Sequence, residues 1–271
     1  MLHTSHGASA TTALHTEKAM ATIHPFCRIS ALACLLTGLQ VAPLLAEFTD
    51  QTDEAGITFI HHSGGLVKEH IVETMGGGAA FFDADADGDM DLYAVNGATV
   101  QTYSQKTGPG NVLYLNGGSG TFHDETARAG VGDAGWGMGC TMGDVDGDGF
   151  GDLYVANYGA NVMYHNDGDG KFSDVSKKAG VEGSQFTSST AFFDADNDGD
   201  LDLYVATYLA YDVHSPPDRK CTYAGYDIYC GPQGLARDGD VLYRNDGAGT
   251  FTDVTRASGV SWANHYYALG V

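Results

Sequence analysis

Apolar and polar positions in this chain alternate over short spans. Runs such as Ala79-Ala-Phe-Phe82, Leu92-Tyr-Ala94, Val112-Leu-Tyr-Leu115 and Leu203-Tyr-Val205 are rich in aromatic and branched side chains and are bounded by clusters of Asp, Asn and Gly. Spans this short, with such boundaries, predict β-strands separated by tight turns and not amphipathic helices.

Three of the breaks share one acidic pattern. It reads Asp83, Asp85, Asp87, Gly88, Asp89, Asp91 in the first copy, Asp144, Asp146, Asp148, Gly149, Phe150, Asp152 in the second, and Asp194, Asp196, Asp198, Gly199, Asp200, Asp202 in the third. Carboxylates at relative positions 1, 3, 5 and 9 converge only if the backbone curls around a common point, and Gly at position 6 permits the turn. Position 7 is Asp89, Phe150 or Asp200, so its side chain is free to vary, which suits a backbone carbonyl ligand. Oxygen donors without His or Cys favour calcium over zinc or copper, and an all-protein cage disfavours magnesium. The helix-loop-helix calcium hand is excluded, because its Glu at position 12 is replaced by Ala94, Val155 and Val205. The loops are therefore expected to sit in hairpins and to hold about three calcium ions. Merely polar turns are the competing reading, and repetition in register weakens it.

Two further registers repeat. Phe-x-Asp-x-Thr/Ser begins at Phe48, Phe122, Phe172 and Phe251, and an apolar ladder before a glycine turn begins at Asn111, Asn161 and Asp240. The Asn-Asp-Gly and Gly-Ser-Gly pieces are hairpin-turn chemistry. One unit is thus strand, acidic loop, strand, linker, strand, glycine turn, strand. Four short antiparallel strands in about 50 residues make a propeller blade. The expected fold class is all-β, a propeller with blades at about 76–126, 136–176 and 187–255 and the start of a fourth at about 265–271. Insertions decorate the first unit around Gly97 to Gly110 and the third between Asp202 and Asp240.

Composition sharpens the picture. The 38 glycines and 18% charged residues fit many turns, and 14 of the 35 acids lie in the three loops. Three divalent ions would lower the formal charge from −22 to about −16. No run of Lys or Arg offers a surface to nucleic acid. Residues 1–46 read as an upstream extension and a secretory signal peptide: Ile29 to Ala46 is apolar, follows Arg28 and is broken by Gln40 and Pro43, and Met20 is a candidate start. Cleavage after Ala42 or Ala46 would free the propeller, residues 47–271, without stable membrane insertion, secreted or periplasmic. A lipoprotein reading through Cys34 is the weaker alternative. Cys27 and Cys34 fall in the signal, Cys140 reads as a small buried residue, and Cys221 and Cys230 flank a short loop as either a disulfide, favoured by export, or two thiols.

His61, His62, His70 and Glu73 form a further cluster, read as structural in preference to a second site. No nucleophile elbow, phosphate loop or haem motif occurs, so no enzymatic activity is expected.

The three Asp-x-Asp-x-Asp-Gly loops, the Gly139-Cys-Thr-Met-Gly143-Asp entry and the Leu-Tyr-x-x-Asn-x-Gly ladders resemble the FG-GAP or VCBS repeats of integrin-type β-propellers. More narrowly, Phe48-Thr-Asp, Gly56-Ile-x-Phe-Ile-His61-His62-Ser-Gly, Glu73-Thr-Met-Gly-Gly-Gly and Tyr229-Cys230-Gly-Pro are similar to the secreted cartilage acidic protein family and its bacterial ASPIC/UnbV relatives. The resemblance covers Phe48 to Val271 and implies an exported calcium-binding propeller, often of about seven blades, used in adhesion or extracellular interaction. The UnbV region is absent, and Tyr267 to Val271 aligns with the entry to a further loop, so the chain reads as a fragment. The expected partner is an extracellular protein or glycan. The alternative is a carbohydrate-binding or accessory domain of a larger polysaccharide-processing or other exported enzyme, motivated by Tyr103, Tyr223, Tyr226 and Tyr229 on the insertions.

Overall fold

The computed structural model describes residues 48–228, 230–260 and 267–271; the signal segment, Cys27, Cys34 and Tyr229 lie outside the described residues. The fold is that of the unit from Asp50 to Val271.

Three four-stranded antiparallel sheets follow one another along the chain. The first holds β1 (Ala79–Phe82), β2 (Asp91–Ala94), β3 (Val112–Asn116) and β4 (Phe122–Asp124) in sequence order. The second holds β5 (Trp136–Gly143), β6 (Asp152–Tyr158), β7 (Val162–Gly168) and β8 (Lys171–Asp174). In the third, β9 (Thr187–Phe193), β10 (Asp202–Thr207), β13 (Val241–Asn245) and β14 (Phe251–Asp253) are interrupted by a separate hairpin, β11 (Cys221–Tyr223) with β12 (Tyr226–Ile228). The fold is all-β with propeller-type blades, and no closed ring is seen among the described residues.

The apolar residues are buried between blades. One cluster joins Phe82, Tyr93 and Leu113 of the first sheet to Leu153, Val155 and Tyr164 of the second. A second joins Tyr154 and Met163 to Leu203, Val205 and Tyr243 of the third. This explains why every residue of β6 is buried: the middle sheet is covered on both faces. The Tyr of each Asp-Leu-Tyr start loses solvent and finds a partner, Tyr93 Oη donating to Val131 O (2.9 Å) and Tyr154 Oη to Val181 O (2.7 Å), while Tyr204 Oη donates to Asp240 Oδ2 (2.8 Å). Burial pushes all three phenols up, Tyr204 to about 12.

The Phe-x-Asp-x-Thr/Ser register is a turn device. Asp124, Asp174 and Asp253 accept the backbone N–H of Thr126, Ser176 and Thr255 at 2.9–3.0 Å. The hydroxyls then accept from Leu113, Met163 and Leu242 N, tying each short helical turn back to the third strand of its blade. Gly130, Gly180 and Gly259 end the turns at φ between 79° and 84°, where a side chain would be strained.

The insertions differ in what they bury. Thr99 caps the short helix Val100–Gln105. Its Tyr103 lies 5.9 Å from the ring of Trp136 and 5.3 Å from that of Tyr158, so this tyrosine packs the insertion down and does not serve the carbohydrate alternative. In the second insertion Cys221 and Cys230 form a disulfide. There Tyr223 faces Tyr226 across the Ala224-Gly225 turn, and the two rings are 74% and 76% exposed. Among the described residues no helix is long and apolar enough to cross a membrane.

Candidate metal sites

Each acidic loop joins the first two strands of its blade, with Phe82 paired to Asp91, Gly143 to Asp152 and Phe193 to Asp202. Position 6 is left-handed in all three, at Gly88 (φ 95°), Gly149 (φ 95°) and Gly199 (φ 100°). Position 4 is left-handed as well, at Ala86 (φ 62°), Gly147 (φ 75°) and Asn197 (φ 61°). Two left-handed residues in three turn the carboxylates of the loop inward.

Positions 1, 3 and 9 come together. In each of the sets Asp83/Asp85/Asp91, Asp144/Asp146/Asp152 and Asp194/Asp196/Asp202, one oxygen per residue lies within 4.8 Å of the others. Position 9 is the anchor. Asp91 accepts from Ala84 N (2.7 Å) and Asn116 N (2.7 Å), Asp152 from Val145 N (3.0 Å) and Asn166 N (2.9 Å), and Asp202 from Ala195 N (2.9 Å) and Asn245 N (2.9 Å). Burial raises the Asp91 and Asp152 carboxyls above the ordinary value despite these bonds. Position 1 accepts from the loop backbone, as Asp83 does from Asp87 N and Gly88 N.

Positions 5 and 7 lie outside these trios, and in the second loop Asp148 groups instead with Asp146 and His165. Asp87, Asp148 and Asp198 accept from the backbone N–H two residues on, at 2.9–3.0 Å, and are exposed. Asp89, Phe150 and Asp200 direct their side chains over Gly118, Gly168 and Gly247 in the glycine turn of the same blade.

The gathered oxygens fit a hard cation. Asp85 Oδ1 is buried without a hydrogen-bond partner, and burial, with Asp87 adding to it, raises that carboxyl. A divalent ion would satisfy the orphaned oxygen and relieve the repulsion, drawing Asp83, Asp85 and Asp91 in the first loop and the equivalent trios in the others.

Two of the loops are also seams. Asn166 Nδ2 of the second blade donates to Ala84 O of the first loop (3.0 Å), and Asn245 Nδ2 of the third blade donates to Val145 O of the second loop (2.6 Å). Ala84 and Val145 are buried, whereas the equivalent Ala195 of the third loop is exposed.

Basic residues arrive differently in each loop. Arg128 lowers the Asp85 carboxyl as a minor effect, Lys178 borders the same cavity as Asp146, and Arg244, held mainly by Asp246, also feels Asp196 and Asp198. The sequence reading missed His165, whose Nδ1 lies 3.0 Å from Asp152 Oδ1 and 3.5 Å from Asp146 Oδ2. Aligning the three ladders puts Leu115, His165 and Arg244 in one column, a variation that signals it.

The other histidine and acid cluster is absorbed by structure. Glu73 is buried and accepts from Gly65, Glu69 and His70 N; His61 Nε2 accepts from Gly77 N; His70 Nδ1 pairs with Tyr211 Oη. Cys140 is a largely buried free thiol whose burial pushes it up to about 12.

A comparison with curated proteins finds no match. Residues 83–155 and 144–205 match the family model of the FG-GAP-like repeat, and between them these two stretches contain all three acidic loops. The chain therefore carries FG-GAP-like repeats, whose shared acidic loops are the candidate metal sites described above.

Proposed function

We propose that this chain is an exported calcium-binding interaction module, in which an ion in each acidic loop stiffens the hairpin. The observation that carries the reading is the convergence of three carboxylates in every loop, one of them with a buried, unpartnered oxygen. All-oxygen donor sets in exposed, glycine-hinged loops suit calcium at the roughly millimolar levels found outside cells. The disulfide between Cys221 and Cys230 supports an oxidising, secreted or periplasmic setting. The narrower likeness to the cartilage acidic protein and ASPIC/UnbV group belongs to the same reading and points to an extracellular protein or glycan as partner. The role is non-catalytic: outside the loops, Glu73, His61 and His70 are engaged in structural hydrogen bonds.

The test is a calcium titration of the chain followed by thermal unfolding, with magnesium and chelator controls and the variant Asp85→Ala/Asp146→Ala/Asp196→Ala alongside. At tenfold excess over its dissociation constant each site adds about 1.4 kcal/mol. A rise specific to calcium and absent in the variant is expected; a folded chain indifferent to calcium refutes the reading.

One observation favours a glycan as the partner. Tyr223 and Tyr226 stand exposed side by side on a hairpin locked by its disulfide, a rigid aromatic platform of the kind that stacks on sugar rings. Binding on a glycan array that disappears in Tyr226→Ala would establish it, and an array without hits would leave a protein partner.

A further inference from the structure

One ladder column beside the loops changes its donor chemistry from blade to blade. The ladder residue facing the loop is Leu115 in the first blade, His165 in the second and Arg244 in the third. Leucine brings no donor, and arginine brings a fixed positive charge that opposes a metal. Histidine alone brings a nitrogen ligand.

His165 is placed as metal-binding histidines are. Its Nδ1 lies 3.0 Å from Asp152 Oδ1, on a carboxylate that is fully buried and held by two backbone N–H groups. An ionised carboxylate only accepts, so Nδ1 is the donor, and in the neutral tautomer Nε2 carries the lone pair. A buried carboxylate that takes one ring N–H and aims the other nitrogen is the usual support of a metal-ligating imidazole. Nε2 faces Asp148 Oδ2 at 4.0 Å and Asp167 Oδ1 at 3.8 Å, both acceptors. A positive charge at Nε2, a second ring proton or a metal ion, relieves this arrangement. Asp146, Asp148 and His165 bring one ligand atom each within 4.8 Å of the others, beside a cavity of about 80 Å³ bordered by Asp146, Asp152, His165 and Lys178. That space admits the waters needed to complete a coordination shell.

We propose that the second loop carries a mixed nitrogen and oxygen site for a borderline divalent cation of the zinc or cobalt class, formed by His165 with Asp146 and Asp148. Imidazole suits such ions, whereas calcium takes oxygen ligands. The site shares Asp146 with the carboxylate trio of the calcium reading, so the two ions compete for the second loop and for no other.

The experiment uses the full chain and compares wild type with His165→Leu, the residue that the first blade carries at this place. Zinc affinity is read by competition with a chromophoric chelator and cobalt ligation by visible absorption, and calcium is titrated on the same samples. Wild type is expected to hold one more tightly bound zinc than His165→Leu, with affinity at that site falling at least about tenfold in the variant and calcium midpoints moving less than about twofold. Asp148→Asn, an exposed change, is expected to reproduce the loss if His165→Leu disturbs folding. Equal zinc stoichiometry and affinity in wild type and both variants overturns the proposal, since the remaining histidines would then account for all binding. A chain that ignores calcium yet loses zinc with His165→Leu supports this site and refutes the calcium reading; one that responds to calcium but shows no His165-dependent zinc does the reverse.

Discussion

The first two acidic loops and the third have nearly the same sequence but different surroundings. Ala84 and Val145 are buried against the following blade and accept from its ladder asparagine, whereas Ala195 is exposed and the carbonyl at that position has no such donor among the described residues. One motif thus serves two purposes. Where the next blade's asparagine reaches it, the loop is a joint whose backbone is already held; where no described residue does, it is a turn ordered by its own aspartates. A cation has least to add to the order of a loop that is already seated.

The largest effect is expected from cutting the joint. Asn166 is fully buried and donates to Ala84 O and Gly151 O, while Asn116, its counterpart in the first blade, donates only to Met90 O. Asn166→Ala should cost about 2–3 kcal/mol and Asn116→Ala about 1 kcal/mol, read from urea unfolding. Equal costs would show that the bond across the blades contributes nothing.

Next comes the response to calcium. Removing it with a chelator should raise amide exchange most at residues 194–202 and less at 83–91 and 144–152, because the seated loops keep their neighbour's bonds. A uniform rise along all three loops would erase the distinction.

A smaller effect tests the left-handed residue at position 4. Ala86 has φ 62° where Gly147 has φ 75°. Gly147→Ala should destabilise by about 1 kcal/mol and Ala86→Gly should stabilise by several tenths, so opposite signs in thermal unfolding are the check. The smallest effect is electrostatic. Arg244→Leu, which copies the first blade, should tighten calcium at the third loop by about twofold at low salt, a gain that fades as ionic strength rises.

The short-range parts of this structure were legible in the sequence. Asp-Gly turns between Phe82 and Asp91, the strands they join and the Asp124/Thr126 device all depend on neighbours within a few residues. The joints were not, because Asn166 and Ala84 are 82 positions apart and nothing local distinguishes an asparagine that crosses a seam from one that closes a turn. The inward carboxylates were foreseen as a set of four per loop. The gathering of positions 1, 3 and 9 follows from a feature invisible to spacing: position 5 caps the backbone two residues ahead of it. Whether Tyr103 packs or stands free was left open by the sequence, because its partners, Trp136 and Tyr158, belong to another blade.

The second unit carries the donor of one joint and the acceptor of the next. Asn166 reaches back to the preceding loop, and Val145, in the same blade, offers its carbonyl forward to Asn245. A unit built this way is compatible with a copy of itself, head to tail, without any new contact being invented. Duplicating or deleting a whole unit leaves every remaining seam matched, so such a gene can lengthen or shorten by complete blades while point changes at Asn166 or Asn245 are penalised. The asparagine at the seam is in that sense what makes the array heritable as modules.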